Sequence, residues 1–259
     1  MTDVDVRRDG GVLRLRIDRE AKRNALSVDV LTGLLEAVRD AATDDATRVV
    51  LISSAGERVF SAGADLAVMG ADATGLEQHE GRGLLAQLVV AMRECPLPVV
   101  ARVQGLCLAG GIGLAAGCDV VLARESAAFG MPEVERGLWP FMVSALLARH
   151  VSPKHALDWM LTGERFDAHT AWQLGLVSRV FPDDSFDADV EAYVARLAAA
   201  APVAVRLGKA AWTAAMETRP LPVALEAMQA QLSLLTTTKD VAEGLAAFFE
   251  KRPPQWQGR

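Results

Sequence analysis

Apolar residues follow two rhythms along the first half of the chain. Val12, Leu13, Leu15 and Ile17 alternate imperfectly with Arg14, Arg16 and Asp18, which predicts a half-exposed strand. The period then lengthens. Val30, Leu31, Leu34, Leu35 and Val38 recur at helical spacing over Val28 to Ala42, and Ser27 is placed to cap that helix. Arg48 to Ser53 is a β-branched run that predicts a buried strand. Gly63 to Met69 reads as a turn into a short helix, Gly70 to Gly83 as a polar, glycine-rich mobile loop, and Leu84 to Glu94 as a helix ended by Pro96 and Pro98. Pro98 to Val103 and Val120 to Ala123 predict strands on either side of a small-residue helix, Ala109 to Gly117. Beyond about residue 140 strand signals nearly stop. Ser152, Asp167, Pro202 and Pro220 each precede or open a helical pattern, and Asp240 to Phe249 forms the last. The map is an α/β core followed by a helical C-terminal part. No fixed period is visible, and the recurring strand–helix units leave degenerate structural repeats open.

Composition narrows the class. A chain of 259 residues with 51% apolar residues suits one large domain, or one with an appendage, and buries a core without disulfides. The net charge of −6 argues against nucleic acid and against a polybasic membrane anchor. It leaves an anionic small ligand open, because local field outweighs net charge there. Cys95, Cys107 and Cys118 are odd in number and lie in apolar surroundings, as in a reduced, cytoplasmic protein. Met1 to Gly10 is too polar for a signal peptide. The charge-free stretch Val103 to Cys118 is broken by glycines and falls short of the roughly 20 residues of a membrane span.

Several chemistries lack their residues. There is no Gly-x-Ser-x-Gly elbow, and Gly208-Lys209 lacks the rest of a phosphate loop. His79, His150, His155 and His169 show no metal-ligand spacing, so no metal is expected. Gly111-Ile112-Gly113-Leu114-Ala115-Ala116 fits a loosened dinucleotide pattern, but Gln104 to Ala109 separate it from the preceding strand. A nicotinamide-dependent oxidoreductase is therefore a weak third reading.

Three segments carry more information. Phe60-Ser61-Ala62-Gly63-Ala64-Asp65-Leu66 and Gln104-Gly105-Leu106-Cys107-Leu108-Ala109-Gly110-Gly111 place small residues where a helix begins. Small residues there let a ligand oxygen approach free N–H groups at the positive end of the helix dipole. Two such turns facing each other make an oxyanion hole able to hold a thioester enolate. Alone, either turn reads more readily as close helix–strand packing. Together they precede Phe129-Gly130-Met131-Pro132-Glu133, a lone carboxylate in an apolar context near Val134, Leu138 and Trp139.

These segments resemble the crotonase family, also called the enoyl-CoA hydratase/isomerase family. The resemblance runs nearly end to end, through Lys22-Arg23-Asn24-Ala25-Leu26, Ala62 to Leu66, Gly105 to Gly111, Phe129 to Glu133, Leu161-Thr162-Gly163-Glu164, Gly175-Leu176-Val177 and Phe249-Glu250-Lys251-Arg252-Pro253. It implies an α/β, ClpP-like fold of spiralling β-β-α units: an acyl-CoA-binding core over residues 1–200 and a helical oligomerisation region over 201–259. It also implies an acyl-CoA substrate with no further cofactor, and a homotrimer or a hexamer built as a dimer of trimers. By position, Ala64 and Gly110 supply the oxyanion N–H groups and Glu133 is catalytic. Lys22, Arg23, Ala25, Ala62, Asp65, Leu66, Leu106, Gly111, Pro132, Trp139 and Lys251 fall on the CoA or acyl side. For Lys22, Arg23 and Lys251 a solvated surface charge is the alternative, and for Trp139-Pro140-Phe141 it is plain core rather than pocket floor.

One departure bears on the reaction. Family hydratases hold the attacking water with two glutamates; one matches Glu133, and the other falls on Gly113. A positioned acid or base is worth about 10²–10⁴-fold. The residues therefore favour isomerisation, with one glutamate moving a proton between C2 and C4, while the family's commoner activity favours hydration, and both stay open. A non-catalytic acyl-CoA-binding homologue is the alternative. Glu135 would share a side with Glu133 only in an extended segment. Asp72, Glu77, His79 and Glu80, in the expected loop, read as solvated charges. Leu225, Met228, Leu232 and Leu235 read as core or as a subunit contact.

Overall fold

The computed structural model describes residues 3–65, 75–216 and 221–259. β1 (Val4–Asp9) and β2 (Val12–Ile17) form an antiparallel hairpin. Its two-residue turn is Gly10-Gly11, with φ of 55° and 80°, the left-handed values such a turn requires. β1 was not foreseen: it lies at the sheet edge, and its charged residues hide the alternation. α1 (Val28–Thr43) buries Val30, Leu31, Leu34, Leu35 and Val38, and the Ser27 hydroxyl accepts a hydrogen bond from Val30 N at 3.3 Å.

Among the described residues, three β-β-α units follow. They are β3 (Val49–Ser54), β4 (Val59–Ser61) and α2 (Gly75–Glu94); β5 (Val99–Val103), β6 (Leu106–Leu108) and α3 (Gly110–Gly117); β7 (Val120–Arg124), β8 (Ala128–Gly130) and α4 (Phe141–His150). The chain continues through α5 (Pro153–Thr162), β9 (Arg165–Asp167), α6 (Ala168–Gln173), β10 (Arg179–Phe181), α7 (Phe186–Ala198), α8 (Pro202–Met216), α9 (Leu221–Leu235) and α10 (Lys239–Glu250). The first strand of each unit joins a six-stranded sheet of order β1-β2-β3-β5-β7-β10, parallel from β2 onward. The second joins a four-stranded sheet of order β4-β6-β8-β9. This is the spiralling α/β architecture that the resemblance implies.

Alternation along β3 divides the interior. Val50 and Ile52 face the main core, while Val49 and Leu51 face α7 through Phe186, Val190 and Val194. Of the loop expected over Gly70 to Gly83, residues 75–83 are helical, because α2 begins at Gly75, and residues 70–74 lie outside the described residues. The short helix expected after Gly63 falls in residues 66–74, outside the described residues. Asp167 caps α6 through Thr170 N at 2.7 Å, whereas Ser152 makes no side-chain cap and α5 instead opens on Pro153. The three cysteines are buried free thiols. Among the described residues, no helix is long and apolar enough to cross a membrane.

Candidate active site

The second strand of each unit is short, so each chain turns sharply at the same end of the small sheet. The turn after β4 is held by the segment ahead of α1. Ala62 N donates to Arg23 O at 3.0 Å, Leu26 N to Gly63 O at 2.8 Å, and Asp65 N to Leu26 O at 3.2 Å. Asn24 anchors this arrangement from beneath. Fully buried and left-handed (φ 51°), it donates from Nδ2 to Ala55 O at 2.9 Å and Val59 O at 2.8 Å. Its Oδ1 accepts from Arg19 N at 3.2 Å, and its backbone oxygen accepts from Ser61 Oγ at 2.9 Å. Sequence reasoning passed over this role, because an Asn inside Lys-Arg-Asn-Ala carries no apolar signal.

The turn after β4 meets the start of α3. Gly63 has a φ of 92°, and a Cβ there would stand 2.6 Å from Ala109 Cβ and 2.9 Å from Gly110 N. A Cβ on Gly110 would stand 3.4 Å from Ala64 N. Glycine at position 63 thus lets the turn after β4 close on Gly110 N, while the 3.4 Å at Gly110 is an ordinary contact that shows the backbones of Ala64 and Gly110 to be neighbours. Gly110 is the first residue of α3, so its N–H has no partner within the helix. Ala109 takes φ 52°, a strained value for a residue with a Cβ, and its N–H donates to Gly130 O at 2.9 Å. That bond ties the helix start to β8, shortly before Glu133. Gly111 presses on β4, where a Cβ would come within 2.8 Å of Ser61 O.

Glu133 heads a 3-10 turn, Val134–Arg136, and its carbonyl accepts from Arg136 N at 2.9 Å and Leu138 N at 3.0 Å. Its side chain is half-buried, and Oε2 is buried without a hydrogen-bond partner. Burial raises the carboxyl above its ordinary range, outweighing the opposing effects of a backbone hydrogen bond and of Arg136. Val134 and Leu138 do not enclose it as expected. Both are exposed, because the 3-10 turn carries them outward; Trp139 packs half-buried against the core. The same turn sends Glu135 away from Glu133: Glu135 lies exposed beside Gly163, with Arg136 at 3.9 Å.

The other expected residues divide. Lys22 and Arg23 are exposed and flank the buried Ala25. Ala62, Leu106 and Pro132 are half-buried and Gly111 is buried, all next to the converging turns. Asp65 is engaged by Arg19 Nη1 at 3.0 Å; the same Arg19 donates to Ala25 O at 2.8 Å and pairs with Asp3 at 2.8 Å. Leu66 and Asp72 lie outside the described residues, and Glu77, His79 and Glu80 belong to α2. Lys251 follows α10 and is exposed. The tail beyond it runs to the end of α7 and the start of α8, where Trp256 Nε1 donates to Ala199 O at 2.9 Å and Gly258 lies beside Pro202 and Arg48. Within one chain, no described contact joins Lys251 to the other site residues. Among the described residues, no His, Cys, Asp and Glu cluster could hold a metal. The dinucleotide-like glycines follow β6 of the small sheet, where Gly111 serves packing against Ser61.

The model of the enoyl-CoA hydratase/isomerase family matches residues 7–259. The 2,3-dehydroadipyl-CoA hydratase of Escherichia coli K12 is 36% identical over the full length of both chains. The crotonyl-CoA hydratase of Syntrophomonas wolfei is 35% identical over 92% of this chain and 91% of its own. Human enoyl-CoA hydratase domain-containing protein 3 superposes with a TM-score of 0.93 at 30% identity, over 98% of this chain and 100% of the other. An enoyl-CoA hydratase of Mycobacterium smegmatis gives 0.92 at 31% identity, with 98% of each chain covered. A match from β1 to the C-terminus leads to one conclusion: this chain belongs to the enoyl-CoA hydratase/isomerase family.

Proposed function

We propose that the protein binds an enoyl-CoA thioester and moves its double bond by a single-carboxylate proton transfer. The Ala64 and Gly110 N–H groups hold the thioester oxygen. Glu133 takes a proton from C2 of a 3-enoyl-CoA, and the C–H electron pair passes into a dienolate whose charge rests on that oxygen. The same carboxyl returns the proton at C4, and the electrons settle as a C2=C3 bond. Loss of one oxyanion donor would cost about 2.7–4 kcal/mol of transition-state stabilisation. The observation that carries this reading is Glu133 itself, a half-buried carboxylate with an unpartnered oxygen and a raised proton affinity. The chemistry needs no cofactor beyond the thioester. Lys22 and Arg23 are exposed beside the site, available to CoA phosphates. Lys251 would contribute from a neighbouring copy in a trimer or a dimer of trimers.

Hydration is the second reading, favoured by the activities named for the Escherichia coli and Syntrophomonas relatives. Absorbance of the conjugated thioester separates the two. Gain of signal from a 3-enoyl-CoA is expected, and dominant loss of signal from crotonyl-CoA would replace isomerisation by hydration. Glu133→Gln is expected to abolish turnover and retain CoA-ester binding. Full activity in that variant would overturn the mechanism, and tight binding without turnover in the wild type would indicate a non-catalytic acyl-CoA-binding homologue.

A further inference from the structure

Gly113 lies three residues beyond Gly110 on α3, about 4.5 Å along the helix axis. The resemblance puts the second glutamate of a hydratase at this position, so a thioester whose oxygen rests on Gly110 N would carry its reacting carbons past it. A Cβ on Gly113 would stand 3.2 Å from Val143 Cγ2 and 3.3 Å from Leu85 Cδ2. Both separations are tighter than an ordinary carbon–carbon contact of about 3.5–4.0 Å. Leu85, on α2, is 6% exposed and Val143, on α4, is 3% exposed; both belong to the main core. The space a side chain at position 113 would enter is thus narrowed by two methyl-bearing groups from two different helices, which would have to give by a few tenths of an ångström to admit even a Cβ. Neither offers a hydrogen bond, and a buried water needs two to four.

We infer that Leu85 and Val143 determine which reaction this site performs. They close the Gly113 flank to water and to a carboxylate alike, which leaves proton transfer by Glu133. Hydration bonds a water oxygen to C3, gives a proton to C2 and passes the water's other proton to a base. The flank at Gly113 provides neither a berth for that water nor an acceptor for its proton. A carboxylate restored there would be pressed between Leu85 and Val143, where its charged form is disfavoured. The loss of hydration therefore belongs to three positions rather than to Gly113 alone. This inference rests on the reading of Glu133 as the acid/base.

Crotonyl-CoA hydration tests it with Gly113→Glu alone and combined with Val143→Ala or with Leu85→Ala. The single variant is expected to stay within about twofold of wild type, and each double variant to rise at least about tenfold, the low end of what a positioned base supplies. An equal rise in the single variant would overturn the inference. So would the absence of a rise in double variants that still isomerise a 3-enoyl-CoA. The acid/base reading fails separately, if Glu133→Gln retains isomerisation. A cycle of Gly113→Ala and Val143→Ala reads the same contact through stability, without any charge. The added methyl is expected to be tolerated better in the Val143→Ala background, shifting the unfolding equilibrium constant by about fivefold relative to additivity. Strict additivity would show that the wall is not tight and would also overturn the inference.

Discussion

Glu133 and Asn24 show opposite uses of a buried polar side chain. Asn24 has its amide satisfied by Ala55 O, Val59 O and Arg19 N, so it fixes the turn beneath the oxyanion pair. Asn24→Ala would strip Ala55 O of its donor and Arg19 N of its acceptor and leave a Cβ-only residue at φ 51°, while Val59 O keeps Ser54 Oγ at 3.3 Å. A loss of about 2–4 kcal/mol is expected in chemical denaturation, far above a surface change. Glu133 leaves Oε2 unpartnered, and burial raises its carboxyl above the ordinary value of 4.5. The folded state therefore holds this proton more tightly than the unfolded chain. Its contribution to stability is fully present below the unfolded value and is lost as pH rises through the raised folded one. Glu133→Gln removes this titration, so its melting point is expected to exceed wild type by about 1–3 °C at neutral pH. The gap should close below the ordinary carboxylate range. Isomerisation is expected to fall on the acid side with a midpoint above 4.5, as the base becomes protonated. The carboxylate was legible as a lone acid after Met-Pro, but its surroundings were not, because a 3-10 turn reverses which neighbours face it.

Elements long enough to show a period were read correctly: α1, β3, β5, α3 and β7 follow from spacing and caps. The small sheet was not, although it places every turn of the site. β4, β6, β8 and β9 are three residues each, too short for alternation to register, and their pairing is long-range. The start of α2 was missed because glycines at 75, 81 and 83 look like loop. Gly208-Lys209, discarded as part of a phosphate loop, has a structural role. Lys209 Nζ donates to Met92 O and Leu97 O at 2.9 Å each and to Asp119 Oδ2 at 2.6 Å, with its side chain 11% exposed. It fastens α8 to the end of α2 and the start of β7. Burial raises the Asp119 carboxyl, with the nearby lysine opposing that effect. Lys209→Met keeps the stem but takes the lysine's donors from Met92 O and Leu97 O and its charge from Asp119, which keeps only Val99 N at 2.8 Å and the charge of Arg93, so about 2–4 kcal/mol of unfolding free energy is expected to be lost. Lys209→Arg would recover only part of it, since a planar fork cannot reproduce three converging bonds.

At the scale of the whole molecule, the C-terminal helices carry apolar residues that a single chain leaves open. Trp212, Leu232, Leu245, Phe248 and Phe249 are each more than half exposed. Helical spacing left core and subunit contact equally open for Leu232, and its exposure of 61% removes the core reading within one chain. Contiguous exposed apolar surface marks association surfaces more than it marks ordinary monomer exterior. Phe248 and Phe249 immediately precede Glu250 and Lys251, so a contact made through this pair would bring Lys251 with it. Sedimentation equilibrium is expected to give a mass of three or six chains. Phe248→Asp with Phe249→Asp is expected to shift the species toward the monomer and to raise KM for the CoA ester. Glu133 and the Ala64–Gly110 pair all come from one chain and none belongs to these C-terminal helices, so kcat should fall less than KM rises. A monomeric wild type with unchanged KM in the double variant would rule out a role for a neighbouring copy and leave the site complete within one chain.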